Sequence, residues 1–496
     1  MNLTEKEANQ KNSDRKPDSE VATQSKQVVN STQKSYDYDF IVIGTGPAGE
    51  GASMMASKSN QRVLAIERFT DVGGGCTHWG TIPSKSVRQS IIAYLNLSKI
   101  PYLGREFNLP IPKFNQFLNM ASTVIESQVK MRRSFYTRNN VTIRYEEASF
   151  VDNHKIALVN ASGNKKYVTG ENIVIASGSR PMHPSNIDFS HPRILDSDKV
   201  LKLKETPSAM AIYGAGVVGC EYASIFNNLG LKVDLINSRE HVLDFLDTEI
   251  SDALNYHMRE QGITIRNGET FESVEPHDDQ VIINLTSGKK IKAPYLLWTQ
   301  GRVANVKNLN LEAAGITVND KGIVPVNELY QTCTPNIFAA GDVIGWPSLA
   351  GVAYDQGRSL VATNLKIKGY YFLPHYIPTG IYTTPEISFI GKTERELTQE
   401  KLPYEVGVAN FKNLAKAQIL GDNVGILKIL FHRQTMEILG VHCFGRQASE
   451  IIHIGQAIMS QEKGANTLAY FLSNTFNYPS MAEAYRLAAL NGINRL

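Results

Sequence analysis

Two glycine-rich turns constrain the fold of this chain more than any other feature. The first turn spans residues 44–49 (GTGPAG), follows an apolar run at residues 39–43 and leads into a helix-like stretch that ends near Lys58. An apolar run of this length predicts a buried parallel strand. A strand, a Gly-x-Gly-x-x-Gly turn and a helix together place a dinucleotide pyrophosphate at the helix N-terminus. The three predicted contact residues are Gly44, Gly46 and Gly49.

Glu67 adds a further part to this pattern. It ends a second apolar strand, predicted at residues 62–66, and it lies eighteen residues after Gly49. A carboxylate at this place accepts hydrogen bonds from the hydroxyl groups of a nucleotide ribose. The first unit is therefore predicted to bind a dinucleotide, with Glu67 as a ligand of the ribose. An ordinary turn between a strand and a helix is the alternative, and it leaves the acid unexplained.

The same pattern occurs a second time along the chain. Residues 214–219 (GAGVVG) follow a predicted strand at residues 210–213 and precede a helical stretch and a strand at residues 232–236. Two such units predict two bound dinucleotides and therefore an exchange of hydride or electrons between them. The predicted contact residues of the second unit are Gly214, Gly216 and Gly219.

Asn237 ends the last strand of the second unit, where the first unit has an acid, and Ser238 and Arg239 follow. A carboxylate at this position binds the 2′-hydroxyl group of NAD and repels the 2′-phosphate of NADP. An amide removes that repulsion, and Arg239 is able to pair with the phosphate. Asn237 and Arg239 are therefore predicted to contact NAD and NADP. The alternative for Arg239 is a solvated loop charge.

Composition limits the range of functions. The 496 residues are enough for about three domains, and 51 Lys and Arg against 48 Asp and Glu give a net charge of +3. Neither a nucleic acid nor a membrane surface is predicted as a partner, because this charge is small. No apolar stretch approaches the roughly 20 residues of a membrane-spanning helix. The four cysteines form no CxxC pair, so no metal site is predicted, and their sparse use favours a cytoplasmic location.

Residues 1–35 differ in composition from the rest of the chain. They contain no aromatic residue, and Lys, Glu, Asp, Gln, Asn and Ser dominate them. Such a segment cannot bury enough apolar surface to offset its chain entropy, so it is predicted to be disordered. A passive extension is the favoured interpretation, and a docking arm is the alternative.

Residues 73–85 (GGGCTHWGTIPSK) resemble the signature of the class I FAD-dependent pyridine nucleotide–disulfide reductases. In that family two cysteines, separated by four residues, lie beside the flavin. Cys76 keeps the first position here, but Thr81 stands at the second and has no sulfur. An intramolecular disulfide therefore cannot form at this site. The resemblance therefore implies that Cys76 lies beside FAD in a scaffold without the family's dithiol relay.

Further motifs extend the resemblance from about residue 36 to the C-terminus. Residues 176–181 (ASGSRP) resemble the crossover from the flavin domain to the nicotinamide domain, and Gly301 resembles part of the return crossover. Residues 332–342 (TCTPNIFAAGD) resemble the second flavin motif, whose Asp binds the ribityl chain. By this resemblance Gly301 contacts NAD(P), whereas the predicted FAD contacts in these segments are Gly178, Gly341 and Asp342. Cys333 is predicted to be a buried core thiol.

The resemblance also implies an α/β fold. It consists of two Rossmann-like dinucleotide-binding domains, one for FAD and one for NAD(P), and a C-terminal α+β dimerisation domain that makes the protein a homodimer. The predicted boundaries are residues 36–200 for the first part of the FAD-binding domain, 201–300 for the NAD(P)-binding domain, 301–372 for the return part of the FAD-binding domain, and 373–496 for the dimerisation domain.

Lys85 and Glu221 are the predicted catalytic pair. Lys85 matches the family lysine near the reactive nitrogen of the flavin, and Glu221 matches its carboxylate partner. A paired ammonium group stabilises negative charge as the flavin is reduced, and its partner prevents an isolated buried charge. The alternative is a surface lysine and a helix glutamate that are unrelated in space.

The C-terminal region departs from the reductases as well. Their His-Pro pair supplies a histidine for the proton transfers of thiol chemistry, whereas Tyr478 stands at that position here. A phenol with an ordinary pKa of about 10 is a poor proton shuttle at neutral pH. Glu483 remains, but it lacks the imidazole that it would orient. Hydride transfer between nicotinamide and flavin needs neither thiols nor this histidine.

The whole pattern therefore resembles the transhydrogenase branch of the family. That resemblance implies a reversible ping-pong transfer of hydride between NADPH and NAD⁺ through FAD, with NAD and NADP as substrates. The enzymatic alternative is a flavin reductase that uses Cys76 with an external thiol or another acceptor. The non-enzymatic alternative is a flavin-bound interaction protein with residues 1–35 as its docking arm.

Overall fold

The two glycine-rich turns lie in the second of the two units into which the chain divides, Met1–Tyr36 and Asp37–Leu496. The computed structural model describes residues 36–98, 111–369 and 376–496. Residues 1–35, which the sequence predicts to be disordered, lie outside the described residues. None of the helices within the described residues combines the length and the hydropathy that crossing a membrane requires.

Each glycine-rich turn follows a β-strand directly, as the sequence predicts. In chain order the strands are β1 (Tyr38–Ile43), β2 (Val63–Glu67), β3 (Thr142–Tyr145), β4 (Glu147–Phe150), β5 (Lys155–Val159), β6 (Lys165–Ile175), β7 (Ser179–Pro181), β8 (Ile194–Leu195), β9 (Ala209–Tyr213), β10 (Lys232–Ile236), β11 (Thr264–Arg266), β12 (Phe271–Pro276), β13 (Val281–Leu285), β14 (Lys290–Ala293), β15 (Leu296–Trp298), β16 (Arg302–Ala304), β17 (Ile337–Ala339), β18 (Thr379–Ile381), β19 (Ile387–Gly391), β20 (Tyr404–Asn410), β21 (Gly425–His432) and β22 (Ile438–Gly445).

A helix begins within each glycine-rich turn, at Pro47 and at Val217. In chain order the α-helices are α1 (Pro47–Lys58), α2 (Gly74–His78), α3 (Thr81–Ser98), α4 (Phe114–Arg138), α5 (Val217–Asn228), α6 (Thr248–Glu260), α7 (Ala350–Asn364), α8 (Glu394–Gln399), α9 (Ala415–Leu420), α10 (Ala448–Met459), α11 (Ala469–Ser473) and α12 (Glu483–Ile493). The residues before α1 and α5, Gly46 and Gly216, make no side-chain hydrogen bond to the first helical turn. The N–H groups at both helix N-termini therefore remain available to an anionic ligand.

The first sheet carries the turn that precedes α1. Its strand order is β3-β2-β1-β6-β5-β4, and β17 pairs with β6. β1 is parallel to both β2 and β6, so the turn lies at the carboxyl edge of the sheet. The last four residues of β1 and all of β2 are buried, as expected for parallel strands covered on both faces. Both predicted strands are confirmed to within one residue at each end.

The second sheet carries the turn that precedes α5. Its order is β11-β10-β9-β15-β8, and its neighbouring strands are parallel. The predicted strand at residues 232–236 coincides with β10, and β9 begins one residue earlier than predicted. β8 joins this sheet from the chain before residue 200. An antiparallel sheet of order β12-β13-β14 follows in the same part of the chain.

The C-terminal sheet is antiparallel and has the order β18-β19-β22-β21-β20. Helices α10 and α12 pack against it, and Ile452 and Tyr485 from these helices share one core with Phe431 of β21. The first dinucleotide-type sheet is mixed, since β5 pairs antiparallel with both β4 and β6, and the second is parallel. These two sheets, followed by an antiparallel sheet with helices, confirm the predicted α/β fold with a C-terminal α+β part.

Helix α3 packs against α5 in the core that underlies the second sheet. Val87 and Ile91 of α3 belong to one buried cluster with Phe226 of α5 and Ile212 of β9. This packing places the start of α3, which carries Lys85, opposite the middle of α5, which carries Glu221. The fold thereby joins a residue that follows the first turn to a residue that follows the second.

Candidate active site

The two glycine-rich turns have the same backbone geometry. Gly44 has a φ of +107° and Gly214 a φ of +112°, which L side chains rarely adopt. A Cβ atom on Gly49 would lie 1.9 Å from the carbonyl oxygen of Gly44, and one on Gly219 would lie 1.8 Å from that of Gly214. Each helix packs so closely on its own turn that only glycine fits at these positions.

The middle glycines, Gly46 and Gly216, have more space around them than the other glycines of each turn. A Cβ atom on Gly46 would meet Gly74 Cα at 3.8 Å, an ordinary contact. A Cβ atom on Gly216 would have no other atom of the described residues within 4 Å, apart from its chain neighbours. Open space in front of an uncapped helix N-terminus is the arrangement that pyrophosphate binding requires.

Glu67 lies at the end of β2, beside the first turn, and its side chain is buried. Its Oε2 atom accepts hydrogen bonds from the backbone N–H of Thr45 at 3.2 Å and from the Thr45 hydroxyl at 2.6 Å. Its Oε1 atom accepts one from the backbone N–H of Phe69 at 3.1 Å. These bonds hold the carboxylate at the sheet edge, where the sequence places the ribose. Thr45 carries no signal in the sequence, because it occupies a variable position of the motif.

Asn237 lies at the equivalent place in the second sheet, but its amide is bonded to neighbouring protein groups. Its Nδ2 atom donates to the carbonyl oxygen of His241 at 3.0 Å and to Asn267 Oδ1 at 3.1 Å. Its Oδ1 atom accepts from the backbone N–H of Arg239 at 3.2 Å. The guanidinium group of Arg239 pairs with the carboxylate of Asp244. Asp244 carries no signal in the sequence, since no motif includes it.

The two crossover segments lie side by side, because β7 and β16 pair antiparallel. The carbonyl oxygen of Gly178 accepts from the backbone N–H of Asn305 at 2.9 Å, and that of Gly301 accepts from the backbone N–H of Met182 at 3.1 Å. The hydroxyl of Ser179 donates to Asp342 Oδ2 at 2.6 Å. Gly178 and Gly301 therefore lie at opposite ends of this short antiparallel pair, and Ser179 joins the end that carries Gly178 to Asp342 of the second flavin motif.

Lys85 and Glu221 form an ion pair in which Nζ lies 2.6 Å from Oε2. The Glu221 side chain is only 5% exposed, and that of Lys85 is 26% exposed. Glu221 Oε1 also accepts from the backbone N–H of Tyr382 at 2.9 Å, and the Tyr382 ring centroid lies 5.0 Å from Lys85 Nζ. The alternative of two unrelated surface charges is therefore wrong. Tyr382 directly follows β18, and no motif of the sequence indicates its contact with Glu221.

A cavity of about 810 Å³ connects these features. It extends from the first turn past Glu67 to the start of α5. Asn237 and Arg239 lie outside its lining. The predicted site residues that line it are Gly44, Gly46, Glu67, Cys76, Lys85, Gly178, Glu221, Gly341 and Asp342. A buried carboxylate, an open helix N-terminus and a lysine–glutamate pair around one cavity fit FAD, whose pyrophosphate and ribose need the first two of these groups.

Cys76 lines this cavity and has Thr81 as its hydrogen-bond partner. Burial of the thiol raises its pKa, and this effect outweighs the hydrogen bond from Thr81. A thiol with a raised pKa is a weak nucleophile at neutral pH. The Nε2 atom of His78 lies 2.9 Å from the carbonyl oxygen of Val72, so this nitrogen is bonded to a group other than Cys76.

The remaining three cysteines are free thiols in two different settings. Cys220 and Cys443 are buried, as a small core side chain would be. The expectation that Cys333 is buried is wrong: it is exposed, and its Sγ atom contacts the carbonyl oxygen of Gly315 at 3.3 Å. Its motif resembles a flavin-binding segment, but Cys333 itself lies at the surface end of that segment. Tyr478, at the position of the family histidine, is also exposed.

Sequence comparisons identify the family. The family model described as "Pyridine nucleotide-disulphide oxidoreductase" matches residues 38–357, and the model of its dimerisation domain matches residues 377–489. The chain belongs to the pyridine nucleotide-disulphide oxidoreductases.

Within that family its relatives include proteins named soluble pyridine nucleotide transhydrogenase. The one from Enterobacter sp. (strain 638) is 55% identical over 93% of this chain and 99% of its own length. The one from Colwellia psychrerythraea is 54% identical over 94% of this chain and 100% of its own length.

Solved structures of the same fold have less similar sequences. The HOCl-induced flavoprotein disulfide reductase RclA from Escherichia coli is 25% identical, with a TM-score of 0.82, over 91% of this chain and 99% of its own. LpdA from Mycobacterium tuberculosis is 25% identical, with a TM-score of 0.83, over the same shares of the two chains.

Proposed function

We propose that this protein is an FAD-dependent NAD(P)⁺ transhydrogenase that exchanges hydride between NADPH and NAD⁺ in either direction. One observation carries the proposal. The cavity beside the first turn contains the Lys85–Glu221 pair, and Thr81 is the neighbour of its single thiol. Hydride exchange needs the pair and no second thiol. The name shared by relatives at 54–55% identity supports the same activity.

The first turn and its surroundings are proposed to hold FAD. The uncapped N-terminus of α1 faces the pyrophosphate, and the carboxylate of Glu67 accepts from the ribose. Asp342 is proposed to bind the ribityl chain. The chemistry that FAD supplies there is reversible hydride transfer, which allows one site to serve NADPH and NAD⁺ in turn. The other proposed contacts are Gly44, Gly46, Gly49, Cys76, Gly178 and Gly341.

The second turn is proposed to bind the nicotinamide nucleotides. The uncapped N-terminus of α5 faces their pyrophosphate. An amide at residue 237 leaves the 2′-position free of a protein carboxylate, so both NAD and NADP are proposed as substrates. The proposed contacts are Gly214, Gly216, Gly219, Asn237, Arg239 and Gly301.

Lys85 and Glu221 are proposed to be the catalytic pair. The ammonium group of Lys85 lines the cavity and stabilises negative charge that develops there. The carboxylate of Glu221 fixes the lysine side chain and is fixed in turn by the backbone N–H of Tyr382. Because Glu221 lies on α5 and Lys85 on α3, the pair also links the two dinucleotide folds.

We further propose the predicted domain boundaries at residues 200, 300 and 372, a cytoplasmic location, and a homodimer formed by the C-terminal domain. All four cysteines are free thiols, which suits a reducing compartment.

The dimerisation family model covers residues 377–489 and supports self-association. Large apolar side chains in this region are exposed in the single chain, among them Ile419, Tyr470 and Leu487. Light scattering at several protein concentrations measures the assembly.

An anaerobic stopped-flow experiment tests the activity. The purified protein with bound flavin is mixed with NADPH, and loss of flavin absorbance is followed; the reduced protein is then mixed with thio-NAD⁺. Recovery of the flavin absorbance together with formation of the thio-NADH band is the expected result. If NADPH reduces the flavin but thio-NAD⁺ does not reoxidise it, the protein uses a different acceptor and the proposal fails.

A further inference from the structure

The segment that follows β10, residues 237–244, is named here the nucleotide loop. It crosses beside the second glycine-rich turn, because the backbone N–H of Leu243 donates to the carbonyl oxygen of Ala215 at 3.1 Å. The carbonyl oxygen of Arg239 accepts from the backbone N–H of Gly268 at 3.0 Å. Arg395 Nη2 donates to the carbonyl oxygen of Asp244 at 2.9 Å. The backbone of the loop is therefore held at several points, before any nucleotide is bound.

The side chains of the loop are less restrained than its backbone. The guanidinium group of Arg239 pairs with the carboxylate of Asp244, and these side chains are 66% and 36% exposed. An exposed ion pair of this kind contributes little to stability, because water and salt screen both charges. Arg239 is therefore able to exchange its partner without a change in the fold.

The histidine of the loop lies beside a different carboxylate. His241 Nδ1 lies 3.6 Å from Asp252 Oδ1 of α6, and both side chains are more than half exposed. Asp244 is thus the carboxylate that neutralises Arg239, and Asp252 is the one that faces His241. The Arg239–Asp244 ion pair thus follows the end of β10, which is the place where a dinucleotide fold of this type receives the adenosine ribose.

We propose that Asp244 is a positioning residue that sets nucleotide specificity through Arg239. With NAD(H) bound, Asp244 holds Arg239 as its ion-pair partner; with NADP(H) bound, the 2′-phosphate replaces Asp244. This inference rests on the proposed use of both nucleotides at one site.

The exchange has a consequence for affinity. A phosphate with a charge near −2 binds guanidinium more strongly than one carboxylate does. Loss of the Asp244 pair offsets part of that gain, which keeps the affinities for NADP(H) and NAD(H) close to each other. An enzyme that must release one nucleotide and bind the other at the same site requires such a balance.

Binding of nucleotide fragments tests this role without hydride transfer. Isothermal titration calorimetry compares adenosine 2′,5′-bisphosphate with 5′-AMP on the protein with bound flavin. Asp244→Asn is expected to bind the bisphosphate about two- to fivefold more tightly, with unchanged affinity for 5′-AMP. Asp244→Glu is expected to restore the original affinity, because it restores a carboxylate.

Two further variants separate the ion pair from a general effect of charge. Asp279→Asn removes an exposed carboxylate from the turn between β12 and β13 and is expected to leave both affinities unchanged. In an Arg239→Gln background, Asp244→Asn is expected to have no effect on the bisphosphate, because the arginine that it releases is absent. The KM for NADPH is expected to fall in Asp244→Asn while the KM for NADH stays constant.

The inference is wrong if Asp244→Asn leaves bisphosphate affinity unchanged, if it strengthens both ligands alike, or if the gain persists in the Arg239→Gln background. Because the fragments carry no nicotinamide, a failure of the transhydrogenase proposal leaves this fragment-binding result intact. Selective tightening without hydride transfer would retain Asp244 as a specificity residue and reject only the proposed activity.

Discussion

The first and second dinucleotide folds share the geometry of their glycine-rich turns and differ at the residue that ends the following strand. Glu67 in the first fold accepts three hydrogen bonds from Thr45 and Phe69. Asn237 in the second fold donates two hydrogen bonds and accepts one, all with neighbouring protein groups. The two folds therefore present different chemistry at equivalent positions.

Burial does not cause this difference, because Glu67 is 5% exposed and Asn237 is 4% exposed. The difference lies in charge and in the direction of the hydrogen bonds. A fixed carboxylate suits a ribose that stays in place, as in a resident cofactor. The amide of Asn237 is bonded within its own loop, and recognition of the 2′-position is therefore proposed to depend on the exposed Arg239. The second fold is thus suited to substrates that differ in one phosphate and that leave after each turnover.

A glycine-to-alanine substitution in each turn should give the largest effects, with loss of flavin binding in the first fold and loss of nucleotide turnover in the second. Gly49→Ala and Gly219→Ala each place a Cβ atom under 2 Å from a carbonyl oxygen, so the turn must move. With a cost of about 1–3 kcal/mol, Gly49→Ala is expected to weaken flavin binding about 10- to 100-fold. Gly219→Ala is expected to keep the flavin and to lower kcat/KM for NADPH and NADH alike by a similar factor.

Flavin absorbance after desalting measures the loss of flavin. Stopped-flow reduction measures the loss of reaction with NADPH and NADH. Each variant is the control for the other, since the clash and the substitution are the same. Equal loss of flavin in both variants would contradict the proposal that the first fold binds FAD and the second binds the nicotinamide nucleotides.

Lys85→Met tests the contact at which the two folds meet. Removal of the ammonium group is expected to slow flavin reduction about 10- to 30-fold, because a charged hydrogen-bonding group is lost from the cavity. It also leaves the buried carboxylate of Glu221 without its cation and lowers the thermal stability. Stopped-flow reduction and thermal unfolding measure the two effects separately.

The double variant Lys85→Met/Glu221→Gln is the control for this experiment. It removes both charges, so the stability is expected to recover while the rate remains low. A rate that recovers together with stability would assign Lys85 a structural role only.

Asn237→Asp makes the second fold resemble the first at the strand end. The new carboxylate is expected to raise the KM for NADPH about tenfold through repulsion of the 2′-phosphate, while the KM for NADH changes less than about twofold. It also faces two acceptors, the carbonyl oxygen of His241 and Asn267 Oδ1, so stability falls by about 1–3 kcal/mol.

Steady-state kinetics with each nucleotide and thermal unfolding provide the measurements. Asn237→Ala loses the same hydrogen bonds without adding a charge, so it should lose stability and keep the original NADPH selectivity. If both variants change NADPH selectivity equally, repulsion by the carboxylate is not the cause.

Much of the fold follows from local patterns that the sequence contains. Apolar runs next to the glycine motifs predict β1, β2, β9 and β10 to within one residue, because a buried parallel strand leaves a continuous apolar signal. The glycines of both turns are also predictable from the sequence, because only glycine satisfies the turn and the close helix packing. The Lys85–Glu221 pair followed from the family resemblance and not from spacing, because the two residues are far apart in sequence.

Other parts of the site depend on tertiary contacts without a sequence signature. The amide of Asn237 is turned toward His241 and Asn267, and nothing in the sequence near residue 237 indicates this orientation. The contact of Tyr382 with Glu221 joins positions 161 residues apart. Cys333 was expected in the core on residue type alone, but its position at the surface end of its segment decides its exposure.

Cys76→Ser should give the smallest effect, and it sharpens the comparison by testing whether the first fold keeps any thiol chemistry. Burial raises the pKa of the Cys76 thiol, so the thiol stays protonated at neutral pH and is a weak nucleophile. Turnover is expected to change less than about twofold in Cys76→Ser, because hydroxyl and thiol are similar in size and neither ionises. Mass spectrometry after brief alkylation provides the control: the exposed Cys333 should react first, and a Cys333→Ser background should show slow labelling of Cys76. Loss of transhydrogenation in Cys76→Ser, with normal flavin content, would instead mean that the single thiol takes part in turnover.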